Sequence, residues 1–194
     1  NGRTSAPFRV EVGTLPTPAV RALVPGAASV GSLVRIEGTD LFSVAERAHV
    51  SFGGVEAALF ALGEGSLTVV VPRGATDGDV TVRLGDRTSS GVPFDVVARG
   101  APHLDDVTPT SGIAGDLLTI TGTDLVDLSA WTPGRRPPMP LLGDLRVAIG
   151  GAAAWFVLPT AEGLQVIVPR DGATGAVVVT VNGVASNELR FTLR

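Results

Sequence analysis

Short runs in which apolar and polar residues alternate recur along this chain. Val80–Leu84 reads Val-Thr-Val-Arg-Leu, and Val177–Val181 carries Val at every odd position. A period of two over about five residues predicts a strand with one buried face. Gly, Pro, Asp, Asn and Ser bound the runs, and Val and Thr, which suit a pleated surface, dominate them. The pattern predicts an all-β chain of many short strands, which is typical of an antiparallel sandwich or barrel.

The chain also repeats itself, and the repeat says more about its organisation than any single motif. Ile36–Leu41 reads Ile-Glu-Gly-Thr-Asp-Leu and returns 84 residues later as Ile120–Leu125, Ile-Thr-Gly-Thr-Asp-Leu. Val50–Gly54 reads Val-Ser-Phe-Gly-Gly and returns 97 residues later as Val147–Gly151, Val-Ala-Ile-Gly-Gly. The change of offset shows that the second copy holds an insertion of 13 residues.

The repeat predicts two tandem domains, at residues 17–97 and 101–194, with the insertion at about 126–146 of the second. The linker Ala98–Gly100 is very short. We therefore expect the two sandwiches to sit end to end with limited freedom.

Residues 1–13 resemble the closing strand of each domain but have no domain of their own. An isolated strand seeks an edge with which to pair. Two explanations stay open. The segment is the tail of a preceding domain in a longer array, or it adds as a strand to a neighbouring subunit. In the second case Phe8, Val10 and Val12 contact the partner, and head-to-tail repetition builds a filament.

Composition excludes several classes of protein. The net charge is −4, the isoelectric point is about 5.1, and all 15 basic residues are Arg, which argues against a nucleic-acid binder that works by bulk charge. The absence of Cys excludes disulfides and thiolate metal sites. No apolar run approaches the roughly 20 residues that a membrane span needs. No signal peptide is visible at Asn1, so the chain is either cytosolic or a mature or trimmed product.

Few residues could support catalysis or bind a metal ion. The chain has no Gly-x-Ser-x-Gly motif, and His49 and His103 fall in different copies of the repeat, so we predict no catalytic residues and no cofactor. Asp105-Asp106 and the pair Asp124 and Asp127 offer oxygen ligands for Ca²⁺. No Asp-x-Asp-x-Asp-Gly loop accompanies them. We expect these carboxylates to cap turns and face solvent, and we predict no metal site.

The insertion is the most informative surface candidate. It reads Trp131-Thr-Pro-Gly-Arg135-Arg136-Pro-Pro-Met139-Pro. Trp, Arg and Met are enriched where proteins bind one another. Three interpretations stay open: the loop folds back over its own sandwich with Trp131 as a plug, it anchors a partner protein, or Trp131 with Arg135 and Arg136 stacks on a sugar.

Together, these motifs resemble the IPT/TIG family of immunoglobulin-like domains. Both copies carry Pro-x5-Gly, Ile-x-Gly-Thr-Asp-Leu, a Gly-Gly pair, Val-Pro, an alternating strand and Ser…Phe, in that order. The second copy departs from the pattern at its insertion and at Ile149, where Phe is usual. The resemblance implies two early-Greek-key immunoglobulin-like sandwiches. Such domains occur in bacterial surface and secreted proteins, beside starch-acting enzymes, in plexin-type receptors and in Rel-like transcription factors.

The resemblance and the Lys-free composition, which is typical of a GC-rich bacterial genome, predict a non-catalytic extracellular or cell-surface module. We expect a structural or adhesive role, with a filament or surface assembly joined through the N-terminal strand and with protein partners, either itself or neighbouring immunoglobulin-like domains. The alternative is a carbohydrate-binding accessory region of a larger secreted enzyme, which exposed aromatic side chains would favour. Trp155 follows the second Gly-Gly pair, and we expect it to lie in the core or half-buried.

Overall fold

The computed structural model describes residues 16–43, 46–131 and 144–194. Within these ranges the chain forms 19 strands and no helix, which confirms the all-β prediction. The strands of the first domain are β1 (Ala19–Val24), β2 (Ala27–Ala28), β3 (Leu33–Thr39), β4 (Ala48–Phe52), β5 (Val55–Gly63), β6 (Ser66–Val70), β7 (Gly78–Leu84), β8 (Arg87–Thr88) and β9 (Val92–Val96).

The first domain is one continuous sheet folded into two layers by its longest strand. The strand order is β1-β3-β6-β5-β4-β7-β9-β2, and β8 pairs with β7. The start of β5 pairs antiparallel with β4, and the remainder of β5 pairs with β6. Strand β5 therefore belongs to both layers of the sandwich.

The second domain repeats this order with its connecting strand broken. Its strands are β10 (His103–Thr108), β11 (Ser111–Gly112), β12 (Leu117–Thr123), β13 (Arg146–Ile149), β14 (Ala152–Ala153), β15 (Val157–Thr160), β16 (Gly163–Ile167), β17 (Gly175–Val181), β18 (Val184–Ala185) and β19 (Leu189–Leu193). One sheet has the order β10-β12-β16-β15 and the other β11-β19-β17-β13-β14, with β18 paired to β17. The counterpart of β5 is split into β14 and β15, which leaves a bend between the two sheets.

Alternation places the apolar face of each layer against the other. In the first domain Phe52 of β4 meets Phe94 of β9 edge to face, with ring centroids 5.0 Å apart. Val34 and Ile36 of β3 belong to the same buried cluster. In the second domain Phe191 of β19 is fully buried. Burial of these side chains supplies the main driving force for each sandwich.

The repeated Gly-Thr-Asp motif has a packing cause. A Cβ atom at Gly38 would lie 2.0 Å from the carbonyl oxygen of Ala19, and one at Gly122 would lie 2.0 Å from that of His103. The register of β1 and of β10 shifts at these crossings, which brings the two backbones together. The motif therefore permits the close approach of neighbouring strands in both domains.

Several predictions fall on residues outside the described ranges. The closing strand at residues 1–13 is among them, with its contact residues Phe8, Val10 and Val12, so strand addition stays a prediction. Among the described residues there is no helix long and apolar enough to cross a membrane.

Candidate functional site

The start of the insertion lies against the first domain. We call residues 124–131 the clasp segment. The ring of Trp131 meets that of Phe60 edge to face, with 6.0 Å between centroids. The backbone N–H of Leu128, a buried residue, donates to the carbonyl oxygen of Gly31 over 2.8 Å. Trp131 thus contacts the other sandwich of the same chain, which none of the three interpretations of the insertion anticipated.

The clasp segment covers an apolar row on the outer face of the first domain. Leu33 pairs with Val70, and Val70 pairs with Ala58, so the three residues lie side by side on β3, β6 and β5. They are 4%, 3% and 6% exposed, and they cluster with the core of the second domain rather than with that of the first. Their burial therefore depends on the second domain, and it holds the two domains together.

Polar contacts surround this apolar row. The Nε–H of Arg73 donates to the carbonyl oxygen of Ser129 over 2.7 Å. An ion pair joins Nη1 of Arg35 to Oε1 of Glu162, which lies between β15 and β16, over 2.7 Å. Partly exposed pairs of this kind contribute little free energy, so we assign them the role of fixing orientation.

Arg99, in the linker, joins one carbonyl of each domain. Its Nη2 donates to the carbonyl oxygen of Val30 over 2.7 Å, and its Nη1 donates to that of Val126 over 3.0 Å. The carboxylates of Asp124 and Asp127 lie 3.7 and 3.8 Å from the same guanidinium. Because the planar fork of Arg satisfies several acceptors at once, it fixes the linker against both domains.

The two carboxylates of the clasp segment already have partners. Asp124 accepts hydrogen bonds from the Ser29 hydroxyl at 2.6 Å and from the backbone N–H of Gly100 at 2.8 Å. Asp127 accepts from the backbone N–H of Ser129 at 2.9 Å and from Nδ2 of Asn182 at 2.8 Å. Asp127 therefore caps the turn at Ser129 as predicted, whereas Asp124 joins the linker to the first domain. The prediction that both carboxylates face solvent is wrong, because their side chains are only 14% and 19% exposed.

These contacts also set the acidity of Asp127. Burial by itself would raise its pKa, but hydrogen bonds from Ser129, the charge of Arg99 and the hydrogen bond from Asn182 outweigh burial and hold the pKa below 3.8. In the part of the chain that the structure describes, no group of three or more His, Cys, Asp and Glu residues is placed to hold a metal ion.

The remaining candidate residues are far from forming one site. His49 lies in β4, with Nδ1 2.8 Å from Oε1 of Glu56, and His103 lies in β10, with Nε2 3.7 Å from Oδ1 of Asp105. Arg135, Arg136 and Met139 of the insertion lie outside the described residues, and their contribution to a partner site stays a prediction.

The prediction for Trp155 is wrong, because its side chain is 89% exposed. Trp155 lies at the bend between β14 and β15, where the chain leaves one sheet for the other and the alternation of faces is interrupted. Beside it, Phe156 is 40% exposed, Ile167 37% and Leu117 52%. Leu117 pairs with Ile167, whose N–H donates to the carbonyl oxygen of Phe156. We call Leu117, Trp155, Phe156 and Ile167 the outer patch.

The outer patch occupies the same place in the second domain as the apolar row that the clasp segment covers in the first. Leu117 corresponds to Leu33 at the 84-residue offset, and Ile167 and Trp155 correspond to Val70 and Ala58 at the 97-residue offset. The residues of the outer patch are exposed, whereas their counterparts Leu33, Val70 and Ala58 are buried. Sequence reasoning missed the outer patch, although a signal was present: the second copy carries larger apolar residues at two of these positions.

A cleft of about 450 Å³ also opens between the two domains. Hydroxyls and carboxylates line part of it, among them Ser32, Asp105, Thr160 and Glu162, and none of the described residues that line it is aromatic. It offers hydrogen bonds but no flat apolar surface, so the outer patch is the stronger candidate for a binding surface.

Comparison with known proteins places the chain in a family. The model of the IPT/TIG domain matches residues 18–96 and again residues 102–193. No curated protein sequence matches the chain significantly.

Solved structures similar to this chain include two proteins of bacterial glycan utilization loci and a plexin. The surface glycan-binding protein SGBP-B of a xyloglucan utilization locus of Bacteroides uniformis is 18% identical, over 91% of this chain and 49% of that one, with a TM-score of 0.42. The SGBP-B of the Bacteroides ovatus mixed-linkage glucan locus is 16% identical, over 90% of this chain and 44% of that one, with a TM-score of 0.38. The extracellular region of plexin A4 is 18% identical, over 93% of this chain and 18% of that one, with a TM-score of 0.42. The chain thus spans less than half of each of these proteins.

Proposed function

The chain belongs to the IPT/TIG family, and on that premise we propose that it is a non-catalytic binding module of an extracellular or bacterial cell-surface protein. Its two domains act as one rigid unit that presents the outer patch to a partner. The clasp segment carries this proposal, because it joins the domains by apolar burial, a main-chain hydrogen bond and the linker residue Arg99. A short linker limits the relative motion of two domains, and these direct contacts between the domains restrict it further.

The exposed apolar surface supports a binding role for the unit. Exposed apolar patches on soluble domains mark sites of interaction. The outer patch combines two aromatic and two aliphatic side chains on neighbouring strands and the adjoining bend. The rigid pair of domains fixes the orientation of this patch, which reduces the entropy lost on binding.

Rigidity can be measured directly because the chain contains no Cys. We suggest spin labels on cysteines at Asp86 and Asp171, which are exposed and lie in different domains. Double electron–electron resonance should give a single narrow distance distribution. Trp131→Ala should broaden this distribution, whereas the control Trp155→Ala, which alters the other Trp, should leave it unchanged. A broad distribution in the chain with native Trp131 and Trp155 would contradict the rigid unit.

A second candidate function is carbohydrate binding, and the exposure of Trp155 favours it. An indole ring presents a flat apolar surface with a polar N–H at its edge, which suits contact with a sugar ring. Titration calorimetry with xyloglucan and mixed-linkage glucan oligosaccharides tests this function. Binding should be lost in Trp155→Ala and kept in the control Phe42→Ala, which removes an exposed aromatic ring from the first domain.

A further inference from the structure

We infer that the outer patch of one copy of this chain binds the first domain of a second copy. Within the chain, the clasp segment of the second domain lies on Leu33, Val70 and Ala58 of the first domain. Between copies, the outer patch takes the place of that apolar row, and Phe42 of the other copy takes the place of Val126 in the clasp segment. The inference rests on the proposed function, since it names the partner of the surface that the rigid unit presents. It uses none of the residues proposed for strand addition at the N-terminus.

We call the surface that receives the clasp segment the accepting surface. It is present twice in the chain: the first domain carries it beside Gly31, and the second domain carries it as the outer patch, beside Gly115. Gly31, which receives the clasp segment, has φ +86°, and its counterpart Gly115 has φ +95°, so the turns have the same conformation. A Cβ atom at Gly31 would lie 2.5 Å from Oδ1 of Asp127, whereas no atom of the described residues lies within 4 Å of one at Gly115. The second turn is therefore shaped like the first and open on the side where the first is covered.

The polar rim of the accepting surface is also partly repeated. Arg73 of the first domain holds the carbonyl oxygen of Ser129. Its counterpart at the 97-residue offset is Arg170, which is exposed and makes no hydrogen bond or ion pair with any described residue. Arg170 is thus available to a clasp from another molecule.

The clasp segment, which binds the accepting surface within the chain, has a shorter counterpart on the first domain. Phe42 occupies the position of Val126 in the clasp segment at the 84-residue offset. Val126 is 7% exposed, whereas Phe42 is 54% exposed. The residues two positions earlier, Asp40 and Asp124, share a φ of 55°, so the backbone enters both segments in the same way. The first domain therefore presents an apolar side chain where the second domain buries one.

The differences between the two surfaces fit an intermolecular contact. The first domain lacks the insertion and has no counterpart of Trp131, but the accepting surface carries Trp155 where the first domain has Ala58. A large ring is thus supplied from the accepting side instead. Ile113 and Thr119 replace Ser29 and Arg35, which removes two polar contacts and makes the surface more apolar.

This composition favours a protein partner over a sugar. Leu117 and Ile167 are aliphatic and offer no side-chain hydrogen bonds, which a sugar site needs for orientation. Aliphatic and aromatic side chains together are typical of the buried centre of a protein interface.

The contact is head to tail, because it joins the outer patch of one copy to Phe42 of the next. A growing chain of copies therefore keeps one exposed outer patch at one end and one exposed Phe42 at the other. Such an interface builds open chains unless its rotation closes a ring. It is weaker than the contact within the chain, because no covalent linker raises the effective concentration of the second copy.

Sedimentation velocity of the full chain over a range of concentrations tests the inference. The chain should associate in a concentration-dependent way. Ile167→Glu and Phe42→Glu should each lower the association constant by at least about tenfold, as loss of a central apolar contact does. The control Val184→Glu should leave association unchanged, because Val184 is 49% exposed and lies on β18, away from the outer patch.

Mixing gives the sharpest result. Ile167→Glu keeps an intact Phe42, and Phe42→Glu keeps an intact outer patch, so an equimolar mixture should form a one-to-one dimer that neither variant forms alone. Thermal unfolding checks that each variant is folded, and Trp155→Ala, at a position that is 89% exposed, provides a substitution with little risk to the fold.

Three outcomes would overturn the inference. One is a chain that remains monomeric at every concentration while the spin-label distances stay narrow, which would leave the proposed function standing. Another is equal loss of association in Val184→Glu. The third is a monomer that binds glucan oligosaccharides through Trp155, which would assign the outer patch to carbohydrate.

Discussion

Replacing Gly31 by Ala should separate the contribution of the clasp segment from every other effect, because the repeat supplies its own control. A Cβ atom at Gly31 would meet Oδ1 of Asp127 at 2.5 Å and the backbone nitrogen of Ser129 at 2.7 Å. The carboxylate can rotate away, but the backbone nitrogen cannot move without displacing the clasp segment. Gly115→Ala introduces the same methyl group at a φ of +95°, where no atom from residues 16–43, 46–131 or 144–194 lies within 4 Å.

The expected magnitudes follow from these distances. Both substitutions place Ala in the left-handed region, which destabilises the fold by about 1–2 kcal/mol. Gly31→Ala adds the strain of overpacking at the interface, about 1–3 kcal/mol. We therefore expect Gly31→Ala to lower the free energy of unfolding by about 2–5 kcal/mol in total, and Gly115→Ala by about 1–2 kcal/mol.

Urea denaturation at low micromolar concentration, followed by far-ultraviolet circular dichroism and tryptophan fluorescence, measures this difference. Trp131 is half-buried at the interface and reports its loss, whereas Trp155 is 89% exposed and changes little. Equal destabilisation by Gly31→Ala and Gly115→Ala would refute the reasoning. It would mean that the cost of Ala at a positive φ, which both substitutions share, accounts for the whole effect and that overpacking against the clasp segment adds nothing.

Two further predictions concern the clasp segment. Trp131→Ala should lower the free energy of unfolding by about 2 kcal/mol, less than the 3–5 kcal/mol of a fully buried ring, whereas Trp155→Ala should change it by less than about 0.5 kcal/mol; equal effects in urea denaturation would count against the interface. Asp127 has its pKa held below 3.8 in the folded chain, so its ionised form stabilises the fold above that pH, and the stabilisation is lost as the pH falls through the lowered pKa. Asp127→Asn should therefore destabilise the chain by about 1 kcal/mol at neutral pH. The difference from the native chain should shrink as the pH falls below the ordinary pKa of Asp, in acid titrations followed by circular dichroism. A difference that is constant with pH would contradict this.

The sequence by itself determined the class of fold and its duplication. Period-two alternation, as in Val80–Leu84, marks which side chains share a face of a strand, and this depends only on backbone geometry. The Gly-Thr-Asp motif is equally local, since Gly38 and Gly122 are required wherever two strand backbones approach closely. Such patterns can be recognised in the sequence because each involves neighbouring residues or directly paired strands.

The tertiary structure decided which faces are covered. Leu33 and Leu117 are the same residue in the same motif, yet one is 4% exposed and the other 52%. The difference comes from the docking of the clasp segment, a contact between residues distant in sequence that no local period encodes. Trp155 was misjudged for a related reason: its burial was inferred from a strand expected after the second Gly-Gly pair, but the structure places it at the bend between β14 and β15. Periodicity shows where a side chain points, whereas its burial depends on what the rest of the chain places in front of it.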